Sequence, residues 1–548
     1  MKITFLGADH EVTGSCHYLN VCGKNVLIDC GMEQGADKFD NQEIPVDAAD
    51  IDYVLLTHAH IDHSGLLPLL HVKGFTGKIY ATYATVDLCN ILLRDSAHIQ
   101  MFEAEWRNRK AKRANEKEYV PLFDMKAAEE TIKLFVECNY EDKIQLSQGL
   151  EVRFTDAGHL LGSASIEVWV KEENIQKKIV FSGDIGNINK PLINDPKFIT
   201  EADYVIMEST YGDRSHGGSP DYVSELVKIF KRTFERGGNV VIPSFAVGRT
   251  QELLYFIRKI KQDKLLLNDF DVYIDSPLAI EATKIYSENS AGCFDEEAME
   301  LVKKGIDPIS FSGLKLAVDS NESKAINFVK TPKVIISASG MCDAGRIRHH
   351  LKHNLWRPEC TILFVGYQAN GTLGRRLVEG AKEVKLFGDP IQVQAEIAEL
   401  HGFSGHADKE ELLHWINSFQ KKPEKVFVVH GEDAVCEQFT ACLRDEYGFD
   451  ATAPFTGASY DLATGECISE GNKELKKAKG LEKTGNFEKS GSLEKTGNFE
   501  KKSQGMYERL VAAGKRLLVV INHKENNADK DIEKFTDEIN SVCDKWDK

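Results

Sequence analysis

Through the first 210 residues, short apolar runs alternate with polar turns at the period of two expected of strands. The runs Ile3–Leu6, Cys16–Val21, Asn25–Asp29 and Tyr53–Thr57 are bounded by glycine and polar residues and read as strands. The period then lengthens over 81–101, where Val86, Cys89, Leu92 and Leu93 fall on one helical face. Strands resume at Leu150–Thr155, Ser165–Val170, Lys178–Ser182 and Tyr204–Met207.

From about 213 to 395 the pattern becomes alternating helices and short, wholly apolar strands. It predicts helix 221–236, strand Asn239–Ile242, helix 249–261, strand Val272–Ile274, strand Lys333–Ser337, helix 345–353 and strand Thr361–Val365. Such βα alternation implies a parallel sheet covered by helices. Beyond it, a helix carrying Leu412, Leu413 and Ile416 precedes the strand Lys425–Val429. Residues 459–505 read as a linker, because Leu481–Lys489 recurs as Leu493–Lys501 and two short polar copies cannot build a core. The segment 506–548 carries a strand-like Leu517–Ile521 and an amphipathic stretch at 529–543, with no function to assign.

What ends the strands changes the picture. Asp29 closes one beside Cys30-Gly31, and Tyr53–Thr57 runs into His58-Ala59-His60-Ile61-Asp62-His63. His159 lies between Gly158 and Gly162, Asp184 follows Gly183, and Glu208 ends the run at 204. Five apolar strands thus deliver an acid or a histidine to a sheet rim beside glycine. His58 and His60 point the same way in an extended chain, whereas Asp62 and His63 follow the start of a turn and face elsewhere. That geometry suits two adjacent metal sites. Histidines return at His406 and at His430, which ends the strand Lys425–Val429. The candidate ligands therefore bracket the βα region, which reads as an insertion into a discontinuous domain.

Composition narrows the class without fixing it. A chain of 548 residues should hold two or three domains. The 12 cysteines include no Cys-x-x-Cys pair, so buried free thiols in a reducing cytoplasm are expected in place of a disulfide framework. No apolar run is long enough to span a membrane, and the N-terminus reads as a strand, not a signal peptide. The net charge of −17 requires that any nucleic-acid site be a local concentration of positive charge. One such run is Trp106-Arg107-Asn108-Arg109-Lys110-Ala111-Lys112-Arg113, which fits a solvated helix face and an RNA-contacting arm equally well.

Asp29, the His58-x-His60-x-Asp62-His63 run, His159 and Asp184, in that order and at those strand ends, resemble the metallo-β-lactamase superfamily. The insertion after Glu208, with His406 and His430 behind it, resembles the β-CASP branch, and the resemblance covers roughly residues 1–458. It implies an αββα sandwich formed by 1–208 and 399–458, with an inserted α/β domain at 209–398. It also implies a zinc ion held by His58, His60 and His159, a second held by Asp62, His63 and His430, and Asp184 bridging both. Asp29 would orient a ligand histidine. Imidazole and carboxylate ligands without thiolate suit catalytic zinc.

The activity so implied is zinc-dependent hydrolysis of RNA, or of single-stranded DNA. A water activated by two metals attacks phosphorus, and His406, oriented by Glu208, protonates the leaving oxygen. Arg249, Ser339, Gly340 and Arg346, at turns opening helices, are expected phosphate contacts. The same metal core could instead serve a hydrolase of small thioesters, lactams or phosphodiesters, or survive in an inactive RNA-binding scaffold. Related enzymes often dimerise, which makes a homodimer an expectation as well.

Overall fold

The computed structural model describes residues 1–474 apart from 36–38, 40, 115–116, 216, 218–220 and 401. Two sheets stack to form the domain that carries the candidate ligands. The first orders its strands as Cys467–Glu470, Ala458–Asp461, Lys2–Gly7, Cys16–Val21, Lys24–Ile28, Tyr53–Leu55, Lys78–Thr82 and Phe135–Cys138. The second runs Ala451–Thr452, Lys425–Val429, Tyr204–Glu208, Ile175–Phe181, Ala164–Glu172, Leu150–Asp156 and Ile144–Ser147.

Alternation along the inner strands sorts side chains into two cores. Ile179, Phe181, Tyr204, Ile206, Phe427 and Val429 face the first sheet and meet Ile3, Phe5, Val26, Ile28 and Leu55. Their neighbours Val180, Val205, Met207, Val426 and Val428 face outward, under Leu412, Trp415, Ile416, Phe439 and Leu443 of the helices Lys409–Ile416 and Asp433–Asp445. A strand buried on both faces must read as continuous apolar sequence, which these do.

The insertion is visible in the pairing itself. Tyr204–Glu208 and Lys425–Val429 are adjacent parallel strands, yet the chain between them leaves the sheet and builds another. This third sheet is wholly parallel, ordered Leu314–Leu316, Asp271–Ile274, Lys333–Ser337, Val240–Pro243, Thr361–Phe364 and Glu396–Glu399. Both domains lie in one compact unit, Met1–Lys477.

Two expectations are corrected. The linker does not begin at 459: Ala458–Asp461 pairs antiparallel with Lys2–Thr4, and Cys467–Glu470 pairs with it in turn. Local composition hid these strands because their partner is the N-terminal strand. The helix expected over 81–101 runs over Tyr83–Ala114, so the basic run is helical. The repeats at 481–501 and the segment 506–548 lie outside the described residues.

Candidate metal centre and active site

The candidate metal ligands, with Asp29 and Glu208, lie at or soon after the ends of strands of the two sheets. Asp29 and His430 follow Lys24–Ile28 and Lys425–Val429 directly and adopt left-handed backbone, with φ of 60° and 51°. Asp and His tolerate that region better than most residues, and the sharp turn swings each side chain back over the sheet end. His58 lies in the loop after Tyr53–Leu55, His60 precedes a single helical turn, and Asp62 and His63 ride on that turn, Ile61–Ser64. Gly31 lets the chain pass the Asp62 carbonyl, which a Cβ would overlap. Gly183, with φ of 57°, would place a Cβ 2.8 Å from that of Thr57.

The side chains converge in two groups that share one carboxylate. His58 Nε2 lies 3.0 Å from His60 Nδ1, and His159 Nε2 lies 3.3 Å from the same atom. Asp184 Oδ2 faces this trio, 3.4 Å from His58 Nε2 and 3.6 Å from His159 Nε2. Its other oxygen, Oδ1, faces His63 Nε2 at 3.3 Å and His430 Nε2 at 3.7 Å. Those two nitrogens are 3.2 Å apart, and Asp62 Oδ2 stands 3.9 Å from His430 Nε2. Within each of the groups His58–His60–His159–Asp184 and Asp62–His63–His430 the candidate ligand atoms lie within 4.8 Å of one another; Asp184, Glu208 and His430 form a third such group.

Behind this cluster, the second nitrogen of four of the histidines is held. His63 Nδ1 is 2.7 Å from Asp29 Oδ2, His430 Nδ1 is 3.0 Å from Thr210 Oγ1, His159 Nδ1 is 3.1 Å from the Gly405 carbonyl, and His58 Nδ1 is 3.2 Å from Thr57 Oγ1. Such partners fix the tautomer and the ring orientation, leaving the facing nitrogen to bind. Asp29 is itself fixed by Thr57 N at 2.9 Å and Ser15 Oγ at 3.1 Å. Thr57, Thr210 and Gly405 have no signal in sequence that singles them out: hydroxyls and carbonyls become orienting groups only through placement.

The electrostatics favour the ligating form at His58, His159 and the two acids, whereas at His63 burial is outweighed by Asp184 and Asp29, which favour the charged ring. Burial, with the charge of His63 beside it, holds His58 well below the ordinary histidine range; burial and His406 do the same to His159. Neutral imidazole is the ligating form. Burial opposes the charge on Asp184, but the surrounding histidines outweigh it and keep the carboxylate ionised. Asp62 is likewise held at about 2, its burial outweighed by the His430 hydrogen bond and the histidine charges. Asp184 Oδ1 is enclosed and accepts no hydrogen bond, and imidazole nitrogens point at one another, an arrangement that a shared cation would relieve. The residues present therefore fit a metal, and a thiolate-free nitrogen–oxygen set suits zinc in a catalytic role.

Beside the Oδ2 face stands a different pair. Glu208, buried, accepts from Ile185 N at 2.5 Å and lies 3.1 Å from His406 Nδ1 through Oε2. Burial works against a charged His406, yet Glu208 and Asp184 outweigh it and raise the group to about 9. Its ring centroid is 4.5 Å from that of His159, and its side chain keeps 21% exposure. The helix after it is locked by an Asp408–Glu411 capping box. The result is an imidazole held toward its charged form at the lip of the cluster.

Of the four expected phosphate contacts, both arginines have partners within the protein. Arg346 donates to Asp275 Oδ1 and the Ala317 carbonyl, at 2.8 and 2.9 Å, and to Val318 O, so its guanidinium braces its own domain. Arg249 pairs with Glu252 at 2.6 Å and stacks over Phe403, and Glu252 pairs in turn with Lys190. Sequence showed the arginines but not the buried acids waiting for them. Ser339 lies in the turn after Lys333–Ser337, with Oγ 3.4 Å from the Ala344 carbonyl, and Gly340 packs against Phe245, where a Cβ would meet the ring at 3.3 Å.

Known proteins resemble this chain over nearly all of that architecture. Residues 11–244 match the family profile of the metallo-beta-lactamase superfamily, 250–377 the Beta-Casp domain, and 390–454 the Zn-dependent metallo-hydrolase RNA specificity domain. Ribonuclease TTHA0252 of Thermus thermophilus is 38% identical over 434 residues, covering 79% of this chain and 94% of that protein. An RNase J-like protein of Methanocaldococcus jannaschii is 35% identical, covering 78% and 92%. The transcription termination factor FttA of Methanosarcina mazei is 32% identical, covering 80% and 68%.

Proposed function

The chain belongs to the β-CASP branch of the metallo-β-lactamase superfamily, and on that premise we propose that it is a zinc-dependent ribonuclease acting by hydrolysis. His58, His60 and His159 would hold one ion, Asp62, His63 and His430 a second, with Asp184 between them. Two such ions supply a nucleophile from water at neutral pH and stabilise charge on the phosphoryl oxygens.

The rest falls to the protein. Asp29, Thr57, Thr210 and the Gly405 carbonyl keep the ligand rings in orientation. His406 gives its proton to the departing ribose oxygen, and Glu208 keeps it cationic until then. The single observation that supports a nuclease over a small-molecule hydrolase is this Glu208–His406 pair, assembled from both sides of the insertion at the edge of the metal cluster. The named activities of the relatives support RNA as the substrate.

Elemental analysis should find close to two zinc ions per chain, and labelled RNA should be cut. His406→Ala should abolish cutting and retain the zinc. Loss of zinc in that variant would make His406 a ligand; intact RNA with hydrolysis of a thioester or lactam would replace the proposed function.

A further inference from the structure

The helix Tyr83–Ala114 begins beside the loop that carries His159. Near its start, Thr85 Oγ1 donates to the carbonyl of Gly162 in the loop that carries His159, at 2.8 Å. At about 1.5 Å per residue, Trp106 lies about 30 Å further along the axis. Over the intervening turns Ala97, Ala104 and Ala111 form the buried face. On the opposite side, Phe102, Trp106, Arg109 and Arg113 follow at steps of four, three and four, which puts all four in one stripe.

Phe102 is 63% and Trp106 52% exposed, and both arginines are exposed. The local charge says what such a face would take. From Trp106 to Arg113 there are five basic residues and no acid, in a chain whose net charge is −17. Arg109 pairs with the exposed Glu105 at 3.4 Å, a contact weak enough to exchange for phosphate. Aromatic faces followed by cations along one line match a single-stranded nucleic acid, whose bases stack and whose phosphates pair.

We propose that this outward stripe is a docking arm for single-stranded RNA, engaging substrate about 30 Å along the helix from Thr85. The proposal rests on the ribonuclease reading and adds a length dependence to it. An RNA too short to span the helix feels only the centre; a longer one gains stacking on Phe102 and Trp106 and phosphate contacts at Arg109 and Arg113.

The test compares a long unstructured RNA with an oligonucleotide too short to reach Trp106, using the full-length, zinc-loaded protein. In F102A/W106A, KM for the long RNA should rise about tenfold. With the short one, kcat and KM should match the wild type. In R109Q/R113Q, the dependence of log KM on log salt should flatten by about 0.7 for each arginine. W106F should restore most of the long-RNA affinity. Equal loss on both substrates, or equal KM in all variants, would overturn the arm. A change from dimer to monomer in F102A/W106A, with long-RNA KM unaltered, would make the stripe an interface between copies and overturn it too. Wild-type protein that cuts neither RNA would instead remove the ribonuclease reading.

Discussion

Glu208 and His406 are 198 residues apart in sequence and 3.1 Å apart in space, Oε2 to Nδ1. The strand that ends in Glu208 lies beside the strand that ends in His430, so the chain departs for the inserted domain from one lip of the metal cluster and returns to it. The loop returning from that domain carries His406 past Gly186, with which it forms an isolated bridge, and Ala407 N donates to Ile185 O. Ile185 N also donates to Glu208, so one short segment aligns both members of the pair.

That alignment predicts a titration. In metal-free protein His406 should titrate near 9, above its ordinary 6.5, as read from ring-proton shifts. A raised histidine stabilises the fold fully below about 6.5, and this contribution disappears as pH rises through about 9. Glu208→Gln keeps an acceptor for Ile185 N but removes the charge, so the titration should move down. Zinc loading should lower it as well, because the ions repel the imidazolium. An unmoved titration in Glu208→Gln would show that the carboxylate does not set the state of His406.

A second prediction concerns Asp29. Asp29→Asn places a donor-bearing amide against His63 Nδ1, now 2.7 Å from Asp29 Oδ2, and weakens the hold on the ring. Loss of such an orienting partner lowers metal affinity about 10–100-fold. Competition with a chromophoric chelator should show that drop at the site of Asp62, His63 and His430. Unchanged zinc affinity would reduce Asp29 to a fold-stabilising residue.

Much of this was legible from the chain alone, and for a physical reason. Strands buried on both faces announce themselves as apolar runs, and a polar residue ending such a run must lie at the sheet rim. His58, His60, Asp62, His63, His159, Asp184, Glu208 and His430 all follow from that rule. What escaped depends on partners distant in sequence. Ala458–Asp461 is too short and polar to read as a strand until Lys2–Thr4 lies beside it. Arg346 shows in the sequence as a possible phosphate ligand, but its partner Asp275, buried and shared with His350 and Ser323, does not.

Lys333, at the start of the strand Lys333–Ser337, gives a stability signature away from the metal centre. Its side chain is enclosed, donating to Val329 O at 2.7 Å and Asn239 Oδ1 at 3.1 Å, and burial lowers it from 10.5 to about 8. A depressed lysine binds fewer protons folded than unfolded, so stability should rise between pH 8 and 10.5 and be lowest below that window. In Lys333→Met the rise should be absent, and the difference between the two proteins in urea titrations isolates it. Parallel pH profiles would mean that Lys333 is solvated in the native state.

The last prediction joins the two domains. Lys190 Nζ donates to the His159 carbonyl at 3.0 Å and pairs with Glu252 Oε1 at 3.1 Å, while Glu252 Oε2 holds Arg249 at 2.6 Å. Lys190 and Glu252 are both nine-tenths buried, one in the metal domain and one on the helix Arg249–Gln262 of the insertion. The chain of contacts therefore ties the backbone of a candidate ligand to the inserted domain. Lys190→Met leaves Glu252 with Arg249 alone and should cost about 3 kcal/mol in unfolding experiments. Lys190→Met/Glu252→Gln should recover part of that stability, because no uncompensated acid remains. Zinc affinity should fall in both variants, since both free the His159 loop. Wild-type zinc affinity in the stable double variant would show that this bridge holds the domains together without positioning the metal site.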